Sequence, residues 1–425
     1  MSMPTSDRER ARSLDNNDEL RRFRGEFAIP SRSQVQGDAL TPAVDESAVS
    51  AGSRQCTYLC GNSLGLQPTR TATRIQQHLA TWATQGVQGH FKPLVDSPLP
   101  TWLDADAKAA QMIAPIVGAE TSEVAFAVET QIRHHGLSVE TSMVTVETPF
   151  SDGAAISTYN VMSAISQHAA DTSVLLLPGI QYYTGELLDI SAITNFAHLH
   201  GIFVIWDLAH AVGNVLLRLH DWDVDAAVWC SYKYLNSGPG GIGGLFVHTR
   251  HSQVTRPITD DRSDAGFTNR LGGWWGNDKA TRFVMATKFH PVSGAAGFQL
   301  SNPSILDITS LCASLEIFDE AGGVSVLREK SIKLTGFLEG LLNALPDKVR
   351  SKFRIITPSD PAQRGAQLSL LLGDGMLDTV MGALLSRSVV ADDRKPNVIR
   401  VAPAPLYNSF EDCVDFIEAF REALE

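Results

Sequence analysis

An aspartate, Asp207, a histidine three positions on, His210, and a lysine, Lys233, each follow closely on a short apolar run. The first run is Ile202–Trp206; the second, Ala226–Cys230, leads into Ser231-Tyr232-Lys233, and Gly238-Pro239-Gly240-Gly241 comes after it. Runs this short, rich in β-branched and aromatic residues, predict buried strands. If both strands lie parallel in one sheet, the acid and the lysine converge beyond its carboxyl edge, where open α/β sheets bind ligands. A lysine amine condenses with the aldehyde of pyridoxal 5'-phosphate, and a carboxylate keeps the pyridine nitrogen protonated so that the ring withdraws electrons. Taken singly, Asp207 reads as a helix N-cap, Lys233 as a surface lysine and the glycines as a turn. Together they are explained better by the cofactor chemistry.

The surrounding pattern supplies a sheet for them. Ser173–Leu177 reads as a buried strand and Ile190–His200 as a helix returning to the strand that ends in Asp207. Such alternation predicts a parallel, doubly wound sheet, with Gly244–Val247 as a further strand. Helices are expected over Thr71–Gln85, Trp102–Val117 and Tyr159–His168. Ile305–Leu345 is amphipathic, broken at Gly322-Gly323 and stopped by Pro346. Beyond it, Arg354–Thr357, Gln367–Leu372, Ser388–Asp392 and Val398–Val401 alternate with helices, as in a smaller α+β unit. At the other end, polar Met1–Arg12 predicts disorder, Leu14–Phe27 a short helix ended by Ile29-Pro30, and Ser31–Gln55 a long loop.

With these residues in view, the chain resembles the kynureninase family. The likeness is carried by DLAHAVGNV (207–215), CSYKYLN (230–236), YLCGNSLGLQP (58–68), YYTGE (182–186), GGWWG (272–276), GFQLSNPSIL (297–306) and IRVAPAPLYNSF (399–410), and runs from about Leu14 to the C-terminus. It implies an α/β chain of the aspartate aminotransferase type (fold type I). That fold has a mostly parallel, doubly wound sheet and a smaller α+β domain. The expected division is an N-terminal arm with part of the small domain over 1–75, a large cofactor domain over 76–304, and a linking helix with the C-terminal small domain over 305–425. It implies pyridoxal 5'-phosphate held covalently on Lys233, and hydrolysis of L-kynurenine or 3-hydroxy-L-kynurenine to anthranilate or 3-hydroxyanthranilate and L-alanine, in tryptophan catabolism and NAD biosynthesis. Lys233 and Tyr232 become the catalytic residues; Asp207, His210, Trp274 and Asn302 join them at the cofactor. His90, Ser301, Asn302 and Arg400 become substrate residues, Arg400 by clamping the α-carboxylate with two hydrogen bonds. A homodimer is implied as well. Two other readings stand beside it: an inactive kynureninase-like protein with impaired cofactor binding, and another fold-type-I enzyme such as a cysteine desulfurase relative.

The resemblance breaks at one point. Kynureninases continue beyond the segment like Gly118–Ala125 with a turn, a helix and a strand, whereas this chain steps directly from Ala125 to Phe126. The gap amounts to on the order of 30 residues or more, one helix-plus-strand unit. It implies loss of the helix N-terminus that binds the cofactor phosphate and of the aromatic that stacks on its ring. It also predicts an unpaired strand edge and uncovered core surface.

Composition narrows the alternatives. There are 35 Lys and Arg against 47 Asp and Glu, a net charge of −12, which argues against a general nucleic-acid or acidic-membrane surface. No apolar run reaches the length of a membrane span. The five cysteines, Cys56, Cys60, Cys230, Cys312 and Cys413, lack zinc-type spacing, so no metal is expected. The N-terminus lacks the apolar core of a secretory signal. A cytoplasmic protein is expected.

Overall fold

A computed structural model describes residues 5–36, 55–85, 89, 91–118, 124–125, 144–146, 156–238, 240–255, 266–280, 282–284 and 289–425. Its helices are α1 (Thr5–Asn16), α2 (Thr69–Gln85), α3 (Ala105–Val117), α4 (Thr158–His168), α5 (Ile190–Leu199), α6 (Ile305–Glu320), α7 (Gly323–Asn343), α8 (Leu377–Ser386) and α9 (Phe410–Leu424). Two sheets are central. The first contains β1 (Val124–Ala125), β2 (Val174–Pro178), β3 (Phe203–Asp207), β4 (Ala226–Cys230) and β5 (Gly243–Val247), in the spatial order β1-β5-β4-β3-β2. The second contains β6 (Phe353–Ile355), β7 (Leu368–Leu372), β8 (Asp392–Arg394) and β9 (Val398–Val401), in the order β8-β9-β7-β6 and antiparallel throughout.

In the first sheet β2, β3 and β4 run parallel, while β5 is antiparallel to β4 and β1 to β5. The helices that lead into β2 and β3 are each started by a side-chain cap. Ser157 accepts from Asn160 N at 3.1 Å before α4, and Asp189 accepts from Ala192 N at 2.9 Å before α5. Such caps satisfy N–H groups that the helix cannot pair internally. Strand β3 fastens α5 through Trp206, which is fully buried and donates from Nε1 to Thr194 Oγ1 at 2.9 Å. The antiparallel β5 packs closely because Gly244 has no Cβ; one built there would lie 2.2 Å from Trp229 Cε2. Apolar burial then divides into two main clusters. One runs from Leu20 through the first sheet and α6 to Leu327, with Ala404–Tyr407. The other joins the second sheet to α7, α8 and α9 and includes Ala11 and Leu59 from the N-terminal stretch.

The two faces of the first sheet differ. Val204, Trp206, Ala227, Trp229 and Phe246 are buried, whereas the alternating Val174, Leu176, Ile205, Val228 and Leu245 are half-buried or exposed. Val174 is 51% exposed and Leu176 62%, on a strand that among the described residues pairs only with β3. Parallel strands with continuous apolar runs are normally covered on both faces and flanked on both edges. Among the described residues, β2 thus has one open face and one unpaired edge. Replacing Leu176 with lysine is therefore expected to reduce self-association measured by light scattering, with thermal stability changed by no more than about 0.5 kcal/mol.

Disorder is expected over Met1–Arg12; residues 1–4 lie outside the described residues, but from Thr5 on the chain is helical as α1, which lies on α9. Ala11 is fully buried there, and Arg8 donates from Nη2 to Asp415 Oδ1 at 2.6 Å and to Glu418 Oε2 at 2.7 Å. The helix is held by the small apolar contacts of Ala11 and Leu14 and by charges supplied some 400 residues later, so its polar local sequence carries little sign of it. The helix expected over Leu14–Phe27 is divided between the end of α1 and a 3-10 segment, Glu19–Glu26.

Candidate active site at the carboxyl edge of the first sheet

Strands β3 and β4 are adjacent and parallel, with Asp207 opposite Val228. Asp207 and Cys230 therefore end neighbouring strands on the same, open face. Asp207 is exposed, and its Oδ1 accepts from Ala209 N at 2.9 Å, which folds the chain into the turn that carries His210 inward. From β4 the chain turns back on itself, so that Lys233 Nζ donates to Cys230 Sγ at 3.3 Å and lies 5.2 Å from the centre of the Tyr232 ring. Burial first, and then the neighbouring Cys230 and Asp207, hold the Tyr232 phenol above its ordinary value.

His210 is buried, with no hydrogen-bond partner for Nδ1 among the described residues. Burial first, then the charges of Lys233, Arg400 and Arg394, keep this imidazole far below its ordinary value and hence neutral. An orphaned ring nitrogen in a polar pocket is a group prepared for a ligand or for a bound water. With the exposed Asp207 carboxylate and the Lys233 amine, it fits the ring and aldehyde ends of a pyridoxal cofactor.

Arg400 reaches the same neighbourhood from the second sheet. It lies on β9, a central strand, and is fully buried. Nη2 is paired with Asp392, directly opposite on β8, and Nη1 donates to Tyr182 O at 2.9 Å; Nε has no partner among the described residues. Arg400 therefore lies neither at the surface nor on an edge strand. Asp392 also accepts from Arg394 Nη1 at 3.0 Å, so one carboxylate aligns two guanidinium groups.

Several positioning residues left no local signature in the sequence. Gln367 Nε2 donates to Tyr182 O at 3.0 Å, and Ser369 Oγ donates to Tyr183 O at 2.6 Å, fixing the Tyr182–Glu186 loop against β7. Asn214 Nδ2 donates to His210 O at 2.9 Å while its Oδ1 accepts from Ala366 N at 3.0 Å, tying the His210 turn to the same strand. Asn62 Nδ2 donates to Gln367 Oε1 at 2.9 Å. The Gly61–Gly65 turn packs directly on the lysine: Gly65 N donates to Tyr232 O at 2.9 Å, and a Cβ on Gly65 would lie 2.3 Å from Lys233 O.

The remaining expected residues lie elsewhere or outside the description. His90 is not among the described residues. Trp274 is half-exposed; its Nε1 donates to Arg282 O at 3.1 Å and its ring meets Trp275 and Phe283 edge-on. Ser301 and Asn302 are exposed just before α6, where Asn302 borders a cavity of about 100 Å³ with Trp102, Asp106 and Ile308. Among the described residues no recorded contact joins Trp274, Ser301 or Asn302 to Lys233 within one chain.

Glu186, at the end of the Tyr182–Glu186 loop, carries a titration of its own. Burial pushes its carboxyl up to about 7 from 4.5, opposed by the hydrogen bond it accepts from Ile156 N at 2.6 Å. A raised carboxyl binds its proton more tightly in the folded chain. Its contribution is therefore fully present below about pH 4.5, declines as pH rises, and is lost above about 7. Glu186→Gln keeps the acceptor without the charge. The variant is expected to be more stable than wild type above pH 7 by on the order of 2–3 kcal/mol, with the difference vanishing below pH 4.5, as read by urea unfolding across that range.

A protein-family profile described as kynureninase C-terminal domain matches residues 327–420, and one described as aminotransferase class-V matches 112–261. Kynureninase 2 of Neurospora crassa is 62% identical over 98% of this chain and 97% of its own length. Kynureninase 1 of Chaetomium globosum is 57% identical over 90% and 87%, and kynureninase of Coccidioides immitis 47% identical over 98% and 94%. The first alignment spans 463 positions, while 98% of 425 residues is about 417, so about 46 of its positions have no residue in this chain. Among solved structures, a cysteine desulfurase from Escherichia coli superposes with a TM-score of 0.66 at 15% identity, covering 96% of this chain and 98% of that one. That likeness shows the α/β fold of pyridoxal-phosphate enzymes and no more. The sequence identity, sustained along nearly the whole length of the relatives, shows that this chain belongs to the kynureninase family.

Proposed function

We propose that this chain is a pyridoxal-phosphate-dependent hydrolase that cleaves the Cβ–Cγ bond of L-kynurenine or 3-hydroxy-L-kynurenine with water, releasing L-alanine and the aromatic acid. This is the family's reaction in tryptophan catabolism and NAD biosynthesis. The observation that carries the reading is the convergence of Asp207, His210, Tyr232 and Lys233 at one sheet edge, with Arg400 brought to His210 from the second sheet. Bound pyridoxal phosphate supplies an electron sink for charge developing at the substrate α-carbon.

The chain's own residues do the rest. The Lys233 amine is the covalent anchor and, once freed, carries the α-proton. Asp207 offers a carboxylate to the pyridine nitrogen. Neutral His210 adds a hydrogen-bonding group beside it without competing for charge. Arg400, aligned by Asp392, receives the substrate carboxylate. Tyr232, whose phenol stays protonated, donates a proton in the alanine-forming half of the reaction. Trp274, Ser301 and Asn302 recognise the aromatic end, and the chain works as a homodimer, as the family resemblance implies.

We further place the missing positions between Ala125 and Phe126. The open face and edge beside β2 support that placement, and so does the absence of a phosphate-binding helix N-terminus in the sequence there. Activity is then expected to depend on cofactor added throughout the assay. The test is anthranilate fluorescence and alanine release from kynurenine, measured against pyridoxal phosphate concentration. Product that rises with cofactor supports the reading. A folded, cofactor-loaded chain that releases neither product overturns it, and leaves the inactive relative in its place.

A further inference from the structure

Cys230 has no role in the chemistry above, yet its sulfur is the group that holds the Lys233 amine. Nζ donates to Sγ at 3.3 Å, and the thiol lies half-buried on the open sheet face. The other thiols are placed differently. Burial pushes Cys56 up to about 11 and Cys60 and Cys312 up to about 12, and raises Cys413 as well, which keeps them as unreactive thiols. The Lys233 charge acts on buried His210, whose Nδ1 is a polar group without a partner among the described residues.

We propose that Cys230 and Lys233 form a peroxide-driven modification site that closes the cofactor lysine by a reversible sulfur–nitrogen bond. In the first step hydrogen peroxide oxidises the thiol: the sulfur gains one peroxide oxygen as sulfenic acid, and the other leaves as water. In the second, Lys233 gives one proton to solvent and its amine attacks the sulfur; the S–N bond forms, the S–O bond breaks, and the hydroxyl leaves with a second amine proton as water. No further oxidant is consumed. Two equivalents of a small thiol reverse it, the first displacing the amine from sulfur and the second releasing Cys230 and a disulfide. Sulfenic acids condense with thiols or with nearby nitrogen, and the nitrogen here is already in contact on a flexible four-carbon stem. The bond itself does not depend on the function proposed above; only its consequence, exclusion of the cofactor aldehyde, rests on Lys233 being the anchor.

The test is peroxide treatment of the full chain with and without pyridoxal phosphate, followed by maleimide blocking, digestion and peptide mass spectrometry. The expected product is a peptide containing Cys230 and Lys233 that is lighter by two hydrogens, uncleaved at Lys233, and restored by dithiothreitol. It should be absent from Cys230→Ser, and cofactor loading should suppress it. In Lys233→Arg the sulfur should advance to sulfinic acid instead. Cofactor uptake by the peroxide-treated wild type should fall in proportion to the cross-linked fraction, while uptake by Cys230→Ser survives. Sulfinic acid at Cys230 with Lys233 free in the wild type would overturn the proposal, as would an unmodified Cys230 when other cysteines are oxidised. If the cross-link forms but cofactor uptake is unaffected, the modification stands and the assignment of Lys233 as anchor fails.

Discussion

Lys233→Ala is expected to lower kcat for kynurenine by on the order of 10⁴-fold or more, the scale of removing a residue that acts covalently. Two functions leave together, the anchor for the aldehyde and the carrier of the α-proton, so added amine is expected to restore only part of the rate. The fold should persist, because Lys233 is only half-buried and the turn around it is held by backbone contacts, including Gly65 N to Tyr232 O. The substitution also removes a positive charge that keeps His210 neutral, the second cause of its depression after burial. The His210 ring should therefore titrate at higher pH in the variant, and NMR of the histidine side chain can follow this independently of turnover. Unchanged activity in a folded Lys233→Ala chain would remove the covalent role.

Arg400→Met should weaken kcat/KM by about 10²–10³-fold, the scale of losing one side of a buried, charge-assisted contact. The loss should fall mainly on KM, because the carboxylate is bound in the ground state as well as in the transition state. Arg400→Lys keeps the charge but loses the planar fork, and should recover only part of the binding. A substrate analogue lacking the α-carboxylate separates this role from a structural one: wild type and variant should handle it alike if Arg400 acts on that group. Asp392 also accepts from Arg394 at 3.0 Å in the wild type, so its carboxylate should keep a cation when Arg400 is replaced. A variant with unchanged KM would mean that the Asp392–Arg400 pair only staples β8 to β9.

The parts of this site that could be read from sequence are those whose cause is local. Val228 and Trp229 lead to Lys233, and Val204 and Trp206 to Asp207, because an unbroken apolar run of strand length leaves its imprint on a few adjacent residues. The sequence expectation of Ala226–Cys230 as a strand agrees residue for residue with the structure, as does Val398–Val401, and most other elements shift by one or two residues. Gly322-Gly323 breaks the long helix where expected, with Gly322 in the left-handed region at φ 90°.

The parts that could not be read are those whose cause is distant. Gln367 and Tyr182 are 185 residues apart, and Arg400 and Tyr182 are 218 apart, yet these bonds set the wall of the site. The polar Gln367 and Ser369 in an otherwise apolar stretch carry no mark of what they bind. Burial of Arg400 follows from β9 being central, which depends on the pairing of β8 and β7 on either side. Asp392 was hidden for the same reason, since only the antiparallel register places it opposite Arg400. The family resemblance gave roles to residues; the contacts that hold those residues came from the fold.

The most direct test of the central claim is to find where the cofactor attaches. The full chain is incubated with pyridoxal phosphate, freed of excess, reduced with borohydride and mapped by peptide mass spectrometry. The arrangement of Asp207, His210 and Lys233 predicts a pyridoxyl group on Lys233, lost in Lys233→Ala. A folded chain that carries no label, or one labelled evenly over its surface lysines, would contradict it.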